Sequence, residues 1–152
     1  MKAAALTFAV IASFGAGNPF TLKAAQEDAR LLNAIAAVES GHVHHAVGDR
    51  GASLGAWQMQ AAAWADANNH RRRLGSVQHP RSSWRDPLVQ EEMAASFLRV
   101  IRQRFAAAGI PRPTPEQIAV VWNRGWTASK RLGFRPNDYA KRVANVYHLQ
   151  GS

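Results

Sequence analysis

The stretch Leu31-Leu32-Asn33-Ala34-Ile35-Ala36-Ala37-Val38-Glu39-Ser40-Gly41 decides the fold class. Leu31, Leu32, Ile35 and Val38 recur at three- and four-residue spacing, the period that gathers side chains on one face of an α-helix. Alanine fills most of the remaining inner positions, and Glu27, Asp28 and Arg30 fall outside. The pattern predicts a helix over 23–39 that stops at Gly41, because glycine readily takes the backbone conformation that ends a helix.

The same signals recur downstream. Residues 61–69 read as a short alanine-rich helix, and 71–85 as a basic, polar loop. Asp86-Pro87 is a cap followed by a first-turn proline, opening a helix to about Ala107 with Phe97, Ile101 and Phe105 as a core stripe. Gly109 ends it. Thr114-Pro115-Glu116-Gln117 is a capping-box start for a helix that turns Ile118, Val121 and Trp122 inward and leads into Asn123. Pro136-Asn137-Asp138 introduces a last helix with Tyr139, Val143, Val146 and Tyr147 on one face. With 152 residues, 47% of them hydrophobic, and few β-branched runs, the expectation is one compact, mostly α domain over residues 18–152.

Residues 1–17 read as an export signal. Lys2 precedes an apolar stretch from Ala3 to Gly17 that falls short of the roughly 20 residues a spanning helix needs, and Ser13, Gly15 and Gly17 offer small residues for cleavage. The expected location is periplasmic or extracellular, with no integral membrane segment in the mature chain, which is expected to be a monomer. A net charge of +9 predicts attraction to polyanions. Arg71-Arg72-Arg73 lacks the interleaved aromatics of a nucleic-acid surface, so no nucleic-acid partner is expected. His42, His44 and His45 crowd one turn without metal-ligand spacing, and the chain has no cysteine. Neither metal nor cofactor is expected.

Glu39 is the residue with chemistry in view. In the last turn of a helix, the partial negative charge of unpaired carbonyls pushes a carboxyl pKa upward. A carboxylic acid that keeps its proton near neutrality can protonate a glycosidic oxygen as the bond breaks. Just behind it lies Gly48-Asp49-Arg50-Gly51-Ala52-Ser53-Leu54-Gly55-Ala56-Trp57-Gln58-Met59. Glycines at 48, 51 and 55 leave room for positive φ and for close approach of a ligand, and Asp49, Arg50, Ser53 and Gln58 supply hydrogen-bonding groups. A plain polar hairpin beside a solvated helix-end glutamate has the same spacing. Of the five tryptophans, one or two are expected to meet ligand, with Trp57 and Trp122 the candidates and the rest core.

Glu39-Ser40 followed by Gly-Asp-Arg-Gly-x-x-x-Gly-x-x-Gln resembles the active-site region of goose-type lysozymes and of the soluble lytic transglycosylase domain, both in the lysozyme-like superfamily. Ala119-Val120-Val121-Trp122-Asn123-Arg124-Gly125 resembles their Ala-x-x-Tyr-Asn-x-Gly element, and Tyr139-x-x-Arg142-Val143 their late tyrosine helix. The ordered set covers roughly residues 30–147.

The resemblance implies a lysozyme-like helical domain with a catalytic groove that cleaves the β-1,4 bond between N-acetylmuramic acid and N-acetylglucosamine in peptidoglycan. Glu39 would be the catalytic acid and Asp49 the second carboxylate, while Ser53, Trp57, Gln58, Trp122, Asn123 and Tyr139 would line the glycan groove, with Gln58, Asn123 and Tyr139 orienting sugar or acid. Trp122 stands where the family has tyrosine; an indole only donates, so its role is stacking, packing or donation. Two products stay open. A second carboxylate that activates water leaves a reducing end, whereas attack by the C6 hydroxyl, with Glu39 now the base, leaves a 1,6-anhydro end. Asp49 is equally readable as a turn residue. The rival class is a non-catalytic wall- or polyanion-binding domain that has kept the fold.

Overall fold

A computed structural model describes residues 19–151, and the export signal read over residues 1–17 lies outside them. Six α-helices dominate the described residues: α1 (Pro19–Ser40), α2 (Ala61–Arg73), α3 (Pro87–Ala107), α4 (Pro115–Arg124), α5 (Trp126–Arg131) and α6 (Asp138–Leu149). Between α1 and α2 runs a small antiparallel hairpin, β1 (Val47–Gly48) with β2 (Ser53–Leu54), in which Val47 pairs with Leu54 and Gly48 with Ser53. No helix among the described residues is long and apolar enough to cross a membrane.

The helix starts follow local chemistry. The Asp86 carboxylate accepts from the Leu88 amide at 2.9 Å, with Pro87 in the first turn. Thr114 and Gln117 form the reciprocal capping box, each side chain accepting from the other's backbone N–H, at 2.9 and 3.2 Å. Asn137 caps α6 through the Ala140 amide at 2.9 Å.

Packing is centred on α1, α3, α4 and α6. Leu31 and Ile35 from α1, Leu98, Ile101 and Phe105 from α3, Val120 and Val121 from α4 and Val143 from α6 are all buried in one core. α6 lies against both α1 and α4, and α2 lies against α3. Phe105, Trp126 and Phe134 form an aromatic cluster with ring centroids 4.7 to 5.1 Å apart, which seats α5 on α3.

Three expectations are corrected. Residues 71–73 are not loop: α2 continues through Arg73, because His70 faces inward and Arg71 is held by Glu92 of α3 at 2.8 Å. Residues 81–85 form a short 3₁₀ turn around buried Trp84 rather than irregular chain. Asp28 and Arg30 are not on an outer face; Asp28 accepts from Arg102 of α3 at 2.7 Å, and the Arg30 guanidinium stacks 3.9 Å from the Tyr147 ring centre.

Candidate functional site

A cleft of about 510 Å³ opens where the end of α1, the hairpin segment, α2 and the α4–α5 junction meet. Glu39, Asp49, Ser53, Gln58, Trp122 and Asn123 all border it, so six of the eight residues singled out in the sequence converge on one concavity.

Glu39 occupies the last turn of α1 and is half-buried. The Tyr139 hydroxyl donates to its Oε1 at 2.7 Å. Its pKa is raised above the ordinary 4.5, first by burial and then by the negative charge of Asp49; the Tyr139 hydrogen bond and the Arg142 charge work in the opposite direction. The cause is thus chiefly desolvation rather than the helix end alone. Tyr139 is itself half-buried, and burial and the adjacent carboxylate drive its hydroxyl pKa far upward, so it keeps the proton that it donates to Glu39. It stands behind Glu39 and does not line the cleft.

Asp49 sits in the turn between β1 and β2, where its Oδ2 accepts from the Ser53 hydroxyl. That hydroxyl also receives a long contact, 3.4 Å, from the Gln60 amide. Gln58 directs its amide nitrogen to the Gly55 carbonyl at 2.9 Å. Asp49, Arg50 and Gln58 have φ values of 49°, 54° and 47°, left-handed conformations that non-glycine residues seldom adopt and that concentrate at functional sites. Gly48, by contrast, is extended at φ −118°, and its lack of a side chain serves space: a Cβ there would lie 2.2 Å from the Gln58 side-chain oxygen.

The tryptophans separate cleanly. Trp57 is core, 4% exposed, with its indole N–H donated to the Leu32 carbonyl at 2.9 Å, and it does not border the cleft. Its expected place in the groove is therefore corrected: the indole is consumed in joining the hairpin segment to α1. Trp122 is half-buried on the cleft wall, donates to the Trp57 carbonyl at 3.3 Å and meets Phe97 edge-on at 5.0 Å. Trp126 also borders the cleft, an aromatic that periodicity did not mark. Beside them the Asn123 amide oxygen accepts from Asn137 at 2.9 Å, linking the end of α4 to the start of α6.

Two residues that support this wall were missed. Gln90 of α3 is 3% exposed; it accepts from the Ala56 amide at 2.8 Å and donates to the carbonyls of His44 and Trp84. Its backbone partners come so close that a Cβ on Gly55, itself at φ +79°, would sit 2.4 Å from the Gln90 oxygen. Ser40 holds the other side of the same residue by donating to the Ala56 carbonyl at 2.8 Å. Ala56 is thereby gripped through both its peptide groups, one from α3 and one from α1. The Glu39-Ser40 pair carried the only sequence signal for this, and nothing local marked Gln90.

The arrangement offers a half-buried acid with a raised pKa, a second carboxylate on the facing loop, amides from Gln58 and Asn123, and indole surface from Trp122 and Trp126. In the described residues no cluster of three or more histidine or acidic side chains has metal-binding proximity. The chain matches no family model, no curated protein and no solved structure.

Proposed function

We propose that the chain is a peptidoglycan-cleaving glycosidase of the lysozyme and lytic transglycosylase kind, with Glu39 as general acid. The observation that carries the reading is the state of Glu39: it borders an open cleft, one oxygen is fixed by Tyr139, and its proton is retained above the ordinary carboxylate range. Donation from Tyr139 to Oε1 leaves Oε2 to present the proton. As the glycosidic C–O bond breaks, that proton passes to the leaving oxygen and the sugar carbon develops oxocarbenium character. The bond is then completed either by water, whose proton goes to Asp49, or by the C6 hydroxyl of the same sugar, whose proton returns to Glu39. Trp122 and Trp126 supply apolar faces for pyranose rings, and Gln58 and Asn123 supply hydrogen bonds to their substituents.

Purified sacculi test the proposal. The wild-type chain should reduce their turbidity, and Glu39→Gln should abolish clearing while still sedimenting with them. A wild-type chain that binds sacculi and never clears them makes the domain a binding module. Mass spectrometry of the released fragments separates the two products, because reducing and anhydro ends differ by one water.

A further inference from the structure

Beyond the cleft lies a shallower hollow of about 300 Å³ between α2 and α3, bordered by Asn69, Arg73, Val100 and Gln103. We infer that it receives the carboxylate-bearing peptide stems of the glycan, with Arg73 as the anchor, an inference that rests on the glycan-cleft reading above.

Continuity comes first. Asp66 and Arg104 border both concavities and are joined by an ion pair of 2.8 Å, so they form a rib between two hollows rather than an end wall. A polymer lying in the cleft can send a substituent across that rib. Charge comes second. Asp66 is neutralised by Arg104, which leaves Arg73 as the uncompensated charge of the hollow; it is exposed and makes no hydrogen bond or ion pair among the described residues. Arg99 adds positive charge nearby: with Arg73 it acts, after burial, to depress the pKa of the neighbouring His70.

Shape comes third. Val100 forms a buried apolar floor, and the Asn69 amide accepts from Arg72 through its oxygen, while its nitrogen makes no hydrogen bond among the described residues. A cation, an amide donor and a small apolar floor suit a short peptide with small side chains and a terminal carboxylate. They do not suit a second sugar ring, since no aromatic face borders this hollow.

The experiment compares soluble glycan strands bearing their stems with the same strands stripped of stems by an amidase. Dissociation constants are measured on the full-length Glu39→Gln chain and kcat/KM on the chain with Glu39 intact. Stem-bearing strands should be favoured by about tenfold in both, the scale of one charge-assisted contact. Arg73→Gln should bring the ratio close to one, and Arg73→Lys should restore part of it. Arg131→Gln on α5, which removes the same charge elsewhere, should retain the full ratio.

Equal treatment of the two strands by the unaltered hollow overturns the inference. So does an undiminished preference in Arg73→Gln, or an equal loss in Arg131→Gln, which would reduce the effect to net charge. If the strands bind with the expected preference but neither is cleaved, the catalytic reading fails and the stem site stands. Binding of neither strand overturns both.

Discussion

The two walls of the cleft are built on different principles. One comes from the ends of helices: Glu39 closes α1, Asn123 and Trp122 lie at the end of α4, and Tyr139 of α6 backs the acid. Apolar stripes one helical turn apart lock these positions into a common core. The other wall is the hairpin segment around Asp49, Ser53 and Gln58, which has almost no regular structure to rigidify it. It is shaped by left-handed residues and by the polar grip of Ser40 and Gln90 on Ala56. A helical wall can carry a proton-transfer group whose position must not wander, whereas a turn-built wall can bend backbone to fit a ligand. Its weakness is dependence on a few buried polar groups.

The sharpest test of this division lies on the helical wall. Glu39→Gln should lower the rate of sacculus clearing by roughly 10²–10⁴-fold, the usual contribution of a general acid. It should also raise the melting temperature at neutral pH. A carboxyl whose folded pKa is raised favours the folded state below its unfolded pKa and loses that advantage as pH rises through the folded value; glutamine mimics the protonated form throughout. The stability gain should therefore shrink in acid. Unchanged clearing would remove Glu39 from the chemistry.

On the loop wall, Gln90→Leu strips partners from the Ala56 amide and the His44 and Trp84 carbonyls, and should destabilise the chain by about 3 kcal/mol in a denaturant titration. A loss below about 0.5 kcal/mol, within the range of an ordinary surface substitution, would mean that the hairpin segment supports itself. Gly125→Ala probes the junction of α4 and α5. At φ 80° and ψ 163° this residue has a conformation open essentially to glycine alone, yet a Cβ would meet nothing within 4 Å. Backbone strain alone should then cost about 1–3 kcal/mol in the same titration. A neutral result would show that the junction relaxes without it.

The finest comparison sets one residue from each side against the other. Activity should fall as pH rises through the Glu39 pKa. Tyr139→Phe removes a hydrogen bond that favours the charged carboxylate, so this alkaline limb should move to higher pH. Asp49→Asn removes a charge that disfavours it, so the limb should move to lower pH. Shifts in the same direction would contradict the arrangement of the two groups around Glu39. If Asp49→Asn also leaves the yield of reducing ends unchanged, Asp49 is not the base.

Much of the fold was legible residue by residue. The capping residues Asp86, Thr114 and Asn137 and the stripes on α1, α3, α4 and α6 are signals confined to one or two turns, and the helices start and pack where those signals stand. α5 was not legible, because six residues after a glycine give periodicity too little length to register. The extension of α2 was masked by its run of arginines, of which Arg71 is held by Glu92 across the interface. In the site, Glu39, Asp49, Ser53 and Gln58 were marked by residue type and spacing, and Trp122 and Asn123 by the family resemblance, which also pointed to Trp57 and Tyr139, neither of which borders the cleft. Gln90 was hidden because a glutamine in a helix reads as solvated until its partners are known.

By itself the amino-acid sequence determined five of the six helices among the described residues, most of the faces they bury, and that a carboxylate closes α1 ahead of a glycine-rich turn. These follow from interactions among neighbours in the chain. Tertiary structure alone decided that Trp57 is core while Trp122 and Trp126 face the cleft, and that Glu39 is desolvated and held by a tyrosine 100 residues away. The physical reason is that desolvation and hydrogen-bond partnership belong to the space around a side chain, and that space is filled by elements remote in the chain.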